Sequence, residues 1–221
     1  MPSAQKRKVL EKTRKRQRRG VVYLLLAVVL IVIIAVGVYA YFSSLPPSTI
    51  YATITTTKGV FEVELYQSLA PTTVGNFVSL AKSGFYNNLA WHRIDQTFVI
   101  QIGDPNTRNG GGDNYTWGQG HSPQTIPFEN VTSLHNDPYT LAMARIGNDY
   151  NSASSQFFIN LKDNRSPLDG QYAVFGKVIS GMNVVDLFKS VPVYPAPTGG
   201  VCCQPKAPVP LLTSIVISNS P

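Results

Sequence analysis

Twenty-two consecutive residues, Val21–Phe42, carry no charge, and nine Lys or Arg stand among the twenty residues before them. A helix over such a run reaches roughly 33 Å, enough to cross a hydrocarbon core of about 30 Å. Tyr23 stands near one end and Tyr39, Tyr41 and Phe42 near the other, where aromatic rings favour the membrane interface. The expectation is a single-pass transmembrane helix over 21–42 behind a basic cytoplasmic tail, 1–20, with the rest of the chain outside the cytoplasm. A cleaved signal peptide is the competing interpretation, because Val38-Tyr39-Ala40 resembles a small-residue cleavage site. The apolar run exceeds the roughly 7–15 residues of a signal h-region, which favours a retained anchor.

The net charge of +7 belongs to the tail. Residues 1–20 hold nine basic side chains and one acid, Glu11, hence +8, while the remainder holds ten Lys or Arg against eleven Asp or Glu, hence −1. A near-neutral remainder argues against a nucleic-acid partner and leaves the membrane as the expected partner of Val21–Phe42. Residues 43–50, rich in Ser and Pro, read as a linker, and a folded domain is expected over 51–221.

Within that domain Tyr51–Thr57 and Val60–Tyr66 are rich in β-branched and aromatic residues around Lys58-Gly59, the pattern of a β-hairpin. Pro71–Lys82 reads as a helix that starts on a proline and stops before Gly84, with Val74, Phe77, Val78 and Ala81 at helical spacing. A second helix is expected from about Asn183 to Lys189, and a closing strand over Leu211–Ser218. Between them lie short strand-like pieces: Ala90–Ile94, Phe98–Ile102, Thr140–Ala144, Phe157–Asn160 and Val174–Ile179. Many short strands with few helices point to a closed antiparallel barrel.

Several chemistries find no support. His92, His121 and His135 do not stand at metal-ligand spacing from one another or from a cysteine, there is no GxSxG elbow, and Gly110-Gly111-Gly112 lacks the GK[ST] of a phosphate loop. Asn114 and Asn130 head glycosylation sequons, meaningful only in a host with that machinery. The only cysteines are the neighbours Cys202 and Cys203. Adjacent Cα atoms lie about 3.8 Å apart, below the roughly 4.4 Å at which disulfide spans begin, so a bond between them is strained. With no other Cys or His close in sequence, they read as two thiols, or one intermolecular bridge, in a surface loop. Neither a metal nor a cofactor is expected.

Four segments carry more specific information: WHRIDQTFVIQIGD at 91–104, SASSQFFIN at 152–160, LDGQYAVFGKV at 168–178, and Gly181-Met182-Asn183-Val184-Val185. In that order, across about Tyr51–Ile217, they resemble the motifs of the cyclophilin-type peptidyl-prolyl cis/trans isomerases. The resemblance implies a mainly β fold, an eight-stranded antiparallel closed barrel capped by two helices. By motif position it makes Arg93 the catalytic arginine, with Phe98 and Gln101 beside it. Val99, Phe158 and Leu168 join Phe98 around a proline pocket, and Ala144, Arg145, Gln156 and Tyr172 fall on the groove for the residues before proline. Proline-containing peptides and unfolded or exported proteins are the implied partners.

The residue types suit that reaction. The amide barrier of about 18–20 kcal/mol comes from partial double-bond character, so a catalyst must favour the twisted amide, whose nitrogen regains a lone pair. A guanidinium is always charged and offers fixed donors to that nitrogen. Four positions depart from the family pattern, one of them Ile102 in place of one glycine of a Gly-Gly pair. Pro167 stands where many members carry a Trp associated with cyclosporin binding, so strong cyclosporin sensitivity is not expected; Arg145 replaces a common Asn, and Tyr172 a common His. These changes in the groove motivate a second interpretation, a membrane-tethered chaperone or scaffold that binds Pro-containing segments without catalysis.

Overall fold

The computed structural model describes residues 23, 26–40, 49–111, 114–195 and 202–221. The chain divides into two units, Met1–Pro47 and Ser48–Pro221. In the first, residues 26–40 are helical and all exposed. Among the described residues no helix is long and apolar enough to cross a membrane. The basic tail 1–20, both ends of the expected span Val21–Phe42 and most of the linker lie outside the described residues.

In the second unit nine strands are present among the described residues. They are β1 (Ile50–Thr56), β2 (Gly59–Leu65), β3 (Leu89–Ala90), β4 (Arg93–Ile94), β5 (Val99–Ile102), β6 (Thr140–Met143), β7 (Phe157–Asn160), β8 (Val174–Ser180) and β9 (Leu211–Ser218). They form one antiparallel sheet in the order β3-β9-β1-β2-β8-β6-β7-β5-β4. The expected hairpin is β1–β2, with Thr56 paired to Gly59.

Two expectations are corrected here. The single strand expected over Ala90–Ile94 is broken into β3 and β4, and the expected eight-stranded closed barrel is an open, nine-stranded half-barrel. Both have the same cause. Trp91 and His92 are fully buried between the two short strands. Trp91 packs on Phe188, Phe157 and Phe61 at centroid distances of 5.0, 6.3 and 6.5 Å. Its backbone N–H goes to Pro210 O at 3.0 Å, whereas that of Ile94 goes to Cys203 O at 2.8 Å. The chain therefore leaves the β9 edge and reaches the β5 edge within two residues, and the edge strands β3 and β4 do not pair with each other.

Alternation along the strands separates two apolar layers. Ile100, Ile102, Leu141, Met143, Phe157 and Ile159 point into the main core with Phe77, Tyr86 and Phe175. Val99, Ala142, Phe158 and Val174 form a second cluster with Leu168 on the opposite face. Edge-on ring contacts bind the core, as between Phe77 and Phe157 at 5.4 Å and Tyr86 and Phe157 at 5.6 Å.

Helix α1 (Pro71–Lys82) covers the core with Thr73, Val74, Phe77 and Ala81. Its N-cap position, Ala70, offers no side-chain acceptor. Glu129 supplies the cap from far along the chain, accepting from Thr72 N (3.0 Å), Thr73 N (2.7 Å) and Thr73 Oγ1 (2.6 Å). Partial burial alone would raise the Glu129 pKa, but these hydrogen bonds outweigh it and hold the carboxyl below its usual range. The second expected helix is a short α-helix followed by a 3₁₀ turn, Met182–Asp186 and Leu187–Ser190. A further one-turn helix, α2 (Arg165–Leu168), was not expected.

Replacing Glu129 with Ala removes a cap and is expected to cost about 1 kcal/mol of stability. Urea unfolding followed by circular dichroism checks it, and the deficit shrinks below the ordinary carboxylate range, where wild-type Glu129 is itself protonated.

Candidate functional site

Cross-strand partners project from the same face of a sheet. The registers here run Arg93 to Gln101, Gln101 to Phe158, Phe158 to Ala142, and Ala142 to Val174. One row across β4, β5, β7, β6 and β8 thus carries a cation, an amide and an apolar floor. Above it opens a cleft lined by Arg93, Phe98, Val99, Gln101, Ala144, Arg145, Phe158, Leu168 and Tyr172. Gln156, the other expected site residue, stands behind Gln101 and is not part of the lining.

Gln156 Nε2 donates to two backbone carbonyls, Gly118 O at 3.0 Å and Gly120 O at 2.7 Å. That commits its Oε1 to accept from Gln101 Nε2 at 2.8 Å. The amide of Gln101 is thereby oriented, and its Oε1 faces Arg93 Nη1 at 3.4 Å. The chain of amides aims the guanidinium through a neutral amide oxygen in place of a directly hydrogen-bonded carboxylate. Arg93 also lies 5.7 Å from the centroid of Phe98, and 3.9 Å from Asp95 Oδ2, a half-exposed and weak ion pair.

Loop 105–120 presents the two glycine carbonyls because Asp104 organises it from a fully buried position. The Asp104 carboxylate accepts from Asn106 N at 2.8 Å and from Gly118 N. A Cβ on Gly120 would come within 2.1 Å of Asp104 Oδ1, so only glycine fits there.

The far wall of the cleft is Arg145. Its guanidinium lies 4.5 Å from the Tyr150 ring and 4.9 Å from the Tyr172 ring. It donates to Gln171 O (2.9 Å), Gln171 Oε1 (3.2 Å) and Gly147 O. Tyr172 in turn meets Phe158 edge-on at 5.5 Å. Arg145 is therefore a held cation beside an apolar pocket.

Several supporting residues escaped sequence reasoning. Asn164 donates to Phe98 O at 3.0 Å and to Asn160 Oδ1 at 2.8 Å, which ties the Phe98 and Leu168 walls together. Asp169 accepts from Asn136 N (2.8 Å) and Asn136 Nδ2 (3.0 Å) and lies 2.7 Å from His135 Nδ1. Burial pushes the Asp169 pKa up, but these bonds overcome it and hold the carboxyl below its usual range. The one local signal was that Asp169 sits inside the LDG motif; Asn136 and Asn164 had none.

Cys202 and Cys203 are free and half-buried. The fold brings Asp95 to them from more than a hundred residues away, so that one ligand atom from each of the three lies within 4.8 Å of the others. Burial, then the neighbouring Cys202 and Asp95, push the Cys203 thiol up to about 12.

His92 is fully buried next to Arg93, and burial lowers its pKa to about 4, with Asp104 pulling the other way. The ring is neutral, and neither nitrogen makes a geometrically sound hydrogen bond. As pH falls through 6.5 the unfolded chain takes up a proton that the folded chain refuses until about 4, so His92 destabilises the fold progressively across that interval and has no effect above it. Urea midpoints are expected to drop between about pH 6.5 and pH 5, with a shallower drop in a His92→Gln variant; equal slopes in the two proteins would refute the assignment.

Comparison with known proteins places these features. The family model described as cyclophilin type peptidyl-prolyl cis-trans isomerase/CLD matches residues 51–208. A peptidyl-prolyl cis-trans isomerase of Acinetobacter baylyi is 43% identical over 141 residues, covering 62% of this chain and 70% of that one. The peptidyl-prolyl cis-trans isomerase cyp18 of Streptomyces antibioticus is 40% identical over 145 residues, covering 62% of this chain and 82% of that one. Among solved structures, a cyclophilin type peptidyl-prolyl cis-trans isomerase of Cryptosporidium parvum superposes with a TM-score of 0.64 at 29% identity, covering 78% of this chain and 99% of that one. A second structure of that protein was obtained in the presence of the dipeptide Ala-Pro.

Proposed function

This chain belongs to the cyclophilin-type peptidyl-prolyl cis-trans isomerase family, and we propose that it turns X–Pro bonds in the cleft between Arg93 and Arg145, with Arg93 as the catalytic residue. The observation that carries this assignment is the row Arg93, Gln101, Phe158, Ala142, which sets one oriented cation at the rim of an apolar pocket.

The pyrrolidine ring of the substrate sits against Phe98, Val99, Phe158 and Leu168. The acyl side rotates while the ring stays fixed. As the amide twists, its nitrogen loses conjugation and becomes a better acceptor, and an Arg93 N–H bonds it more strongly than in either planar isomer. That is differential binding of the transition state. No covalent bond is made or broken and no proton is transferred, which suits a site whose nearest histidine is buried and neutral. Gln101 holds the guanidinium and is also placed to meet the substrate backbone. Gln156 is a positioning residue, acting through Gln101.

The N-terminal unit supports a membrane-anchored form of this enzyme. Fifteen described residues, 26–40, form a helix in which Leu26, Ile31, Ile33 and Val36 are each more than half exposed. They lie within an uncharged run preceded by basic residues. Such a surface is stable when lipid covers it. Exported proteins emerging near the membrane are then the clients.

Purified full chain in mild detergent is expected to accelerate isomerisation of an X–Pro peptide. Arg93→Ala is expected to lower kcat/KM by about 10²–10³-fold with its circular dichroism spectrum unchanged. Full activity in that variant would overturn the role of Arg93, and binding without turnover in the wild type would favour a non-catalytic Pro-segment binder. Gln156→Leu is expected to lower kcat by about 10–100-fold with little change in KM, since only the aim of the guanidinium is disturbed.

Arg145 sets a second expectation. Peptides with an acidic residue ahead of proline are preferred over their lysine counterparts at low salt, and the preference fades as salt rises or when Arg145 is replaced by Met. Competition kinetics between paired peptides measures it, and an unchanged preference in Arg145→Met would discount the residue.

A further inference from the structure

The segment from Cys202 to Lys206 is strapped down on two sides. Cys203 O accepts from Ile94 N at 2.8 Å, next to Arg93 on β4. On the other side Tyr194 N donates to Gln204 O, and Lys206 N to Pro192 O, both at 2.8 Å. These ladders hold the cysteine pair over the turn that follows β4, where Asp95 stands. The Asp95 carboxylate has no strong partner of its own. Thr97 reaches Oδ1 only at 3.4 Å (N) and 3.3 Å (Oγ1), and Arg93 reaches Oδ2 at 3.9 Å.

We propose that Asp95, Cys202 and Cys203 form a binding site for a zinc-class divalent cation. Three ligand atoms already lie within 4.8 Å of one another. Tetrahedral coordination at a Zn–S distance of about 2.3 Å and a Zn–O distance of about 2.1 Å needs separations of roughly 3.5–3.8 Å, within reach of small side-chain rotations. The three groups are half-buried, so the fourth position opens to solvent, the pattern of a three-ligand site completed by water. Two sulfurs and one carboxylate suit Zn(II) or Cd(II) rather than Mg(II) or Ca(II), which take all-oxygen shells. Competition from an internal disulfide is weak, because neighbouring residues are too close for unstrained S–S geometry.

Binding exchanges two thiol protons for one cation, Zn²⁺ + 2 RSH → Zn(SR)₂ + 2 H⁺; the two thiolates neutralise the cation, and the Asp95 carboxylate leaves the site at −1 beside the positive charge of Arg93. A bound cation clamps the 202–206 segment to the turn after β4. It also draws Asp95 away from Arg93, so the site stands two residues along the chain from the proposed catalytic arginine without belonging to its cleft.

The test uses the reduced full chain, freed of metal and titrated with Zn(II) against a chromophoric chelator, and separately with Co(II). One cation per chain is expected, with a near-ultraviolet thiolate-to-Co(II) band and visible bands of tetrahedral intensity. Losing a direct ligand should weaken binding at least as much as the roughly 10–100-fold cost of losing a supporting group, so Cys202→Ser and Cys203→Ser should each lose that much or more, and Asp95→Asn about tenfold. Zn(II) should raise the thermal midpoint of the wild type and not of the Cys202→Ser/Cys203→Ser double variant. Absence of the thiolate band at saturating Co(II) in the wild type would overturn the proposal without recourse to any variant. So would equal Zn(II) affinity in the double variant. A stoichiometry of one cation per two chains, indifferent to Asp95→Asn, would replace it with a thiolate bridge between copies. Isomerase activity is not read in any arm, so failure here is separate from failure of the functional assignment.

Discussion

Strand register decides whether this protein has a site at all. A slip of one residue in an antiparallel ladder moves every side chain to the other face. In β5 the shift would bury Gln101 among aromatic rings and expose Ile100, leaving a polar amide in the core at a cost of about 1–3 kcal/mol. The core therefore enforces the cleft. Ile100, Phe157, Ile159 and Leu141 lock the registers from inside, and those registers place Gln101, Phe158 and Ala142 in one row outside. Arg93 joins the row from β4, only two residues long, which pairs with β5 alone. So short a strand would not hold its register by backbone bonds. It is held by what flanks it, Trp91 and His92 buried on one side and the bond from Ile94 N to Cys203 O on the other.

A second constraint follows from the loops. An arginine aimed at a weak acceptor must not be captured by a strong one. Here its strongest orienting contact is a neutral amide oxygen at 3.4 Å, and the nearby carboxylate stands off at 3.9 Å. The charge is thus left available to a substrate, while its direction is set by Gln101, by Gln156, and finally by the carbonyls of Gly118 and Gly120. Those carbonyls are presented by Asp104, whose buried carboxylate spends its capacity on backbone N–H groups of the loop. The precision of the site rests on a loop whose helical structure, among the described residues, is short 3₁₀ turns, held from beneath by Asp104.

What the sequence revealed and what it hid divides along that line. Strands with alternating or continuous apolar runs were legible: β1, β2, β7, β8 and β9 lie where composition put them, and α1 runs over the expected Pro71–Lys82. The broken strand at Trp91-His92 was not, because two ring side chains inside a strand-like run look the same whether they continue a ladder or cross between two. Sheet closure was unreadable for the same reason. The residues lining the cleft were found through motif resemblance; taken singly, Phe98 or Leu168 reads as core. Glu129, Asn164 and Asp95 act at sequence separations of 57, 66 and about a hundred residues, and no local pattern announces such partnerships.

The charge distribution gives the last step. The folded unit is near neutral, and the first twenty residues carry the whole of the net positive charge. A near-neutral domain adds little long-range steering of its own, which leaves local charges at the cleft such as Arg93 and Arg145. Their roles differ because their partners differ. Arg145 is sandwiched by two rings and saturated with carbonyl acceptors, which leaves it a fixed wall of potential. Arg93 is weakly held and retains donor capacity. This difference is what the proposed division of labour rests on, selection by Arg145 and catalysis by Arg93. The same sheet face supports both because a pocket of Phe98, Val99, Phe158 and Leu168 keeps water from screening the space between them.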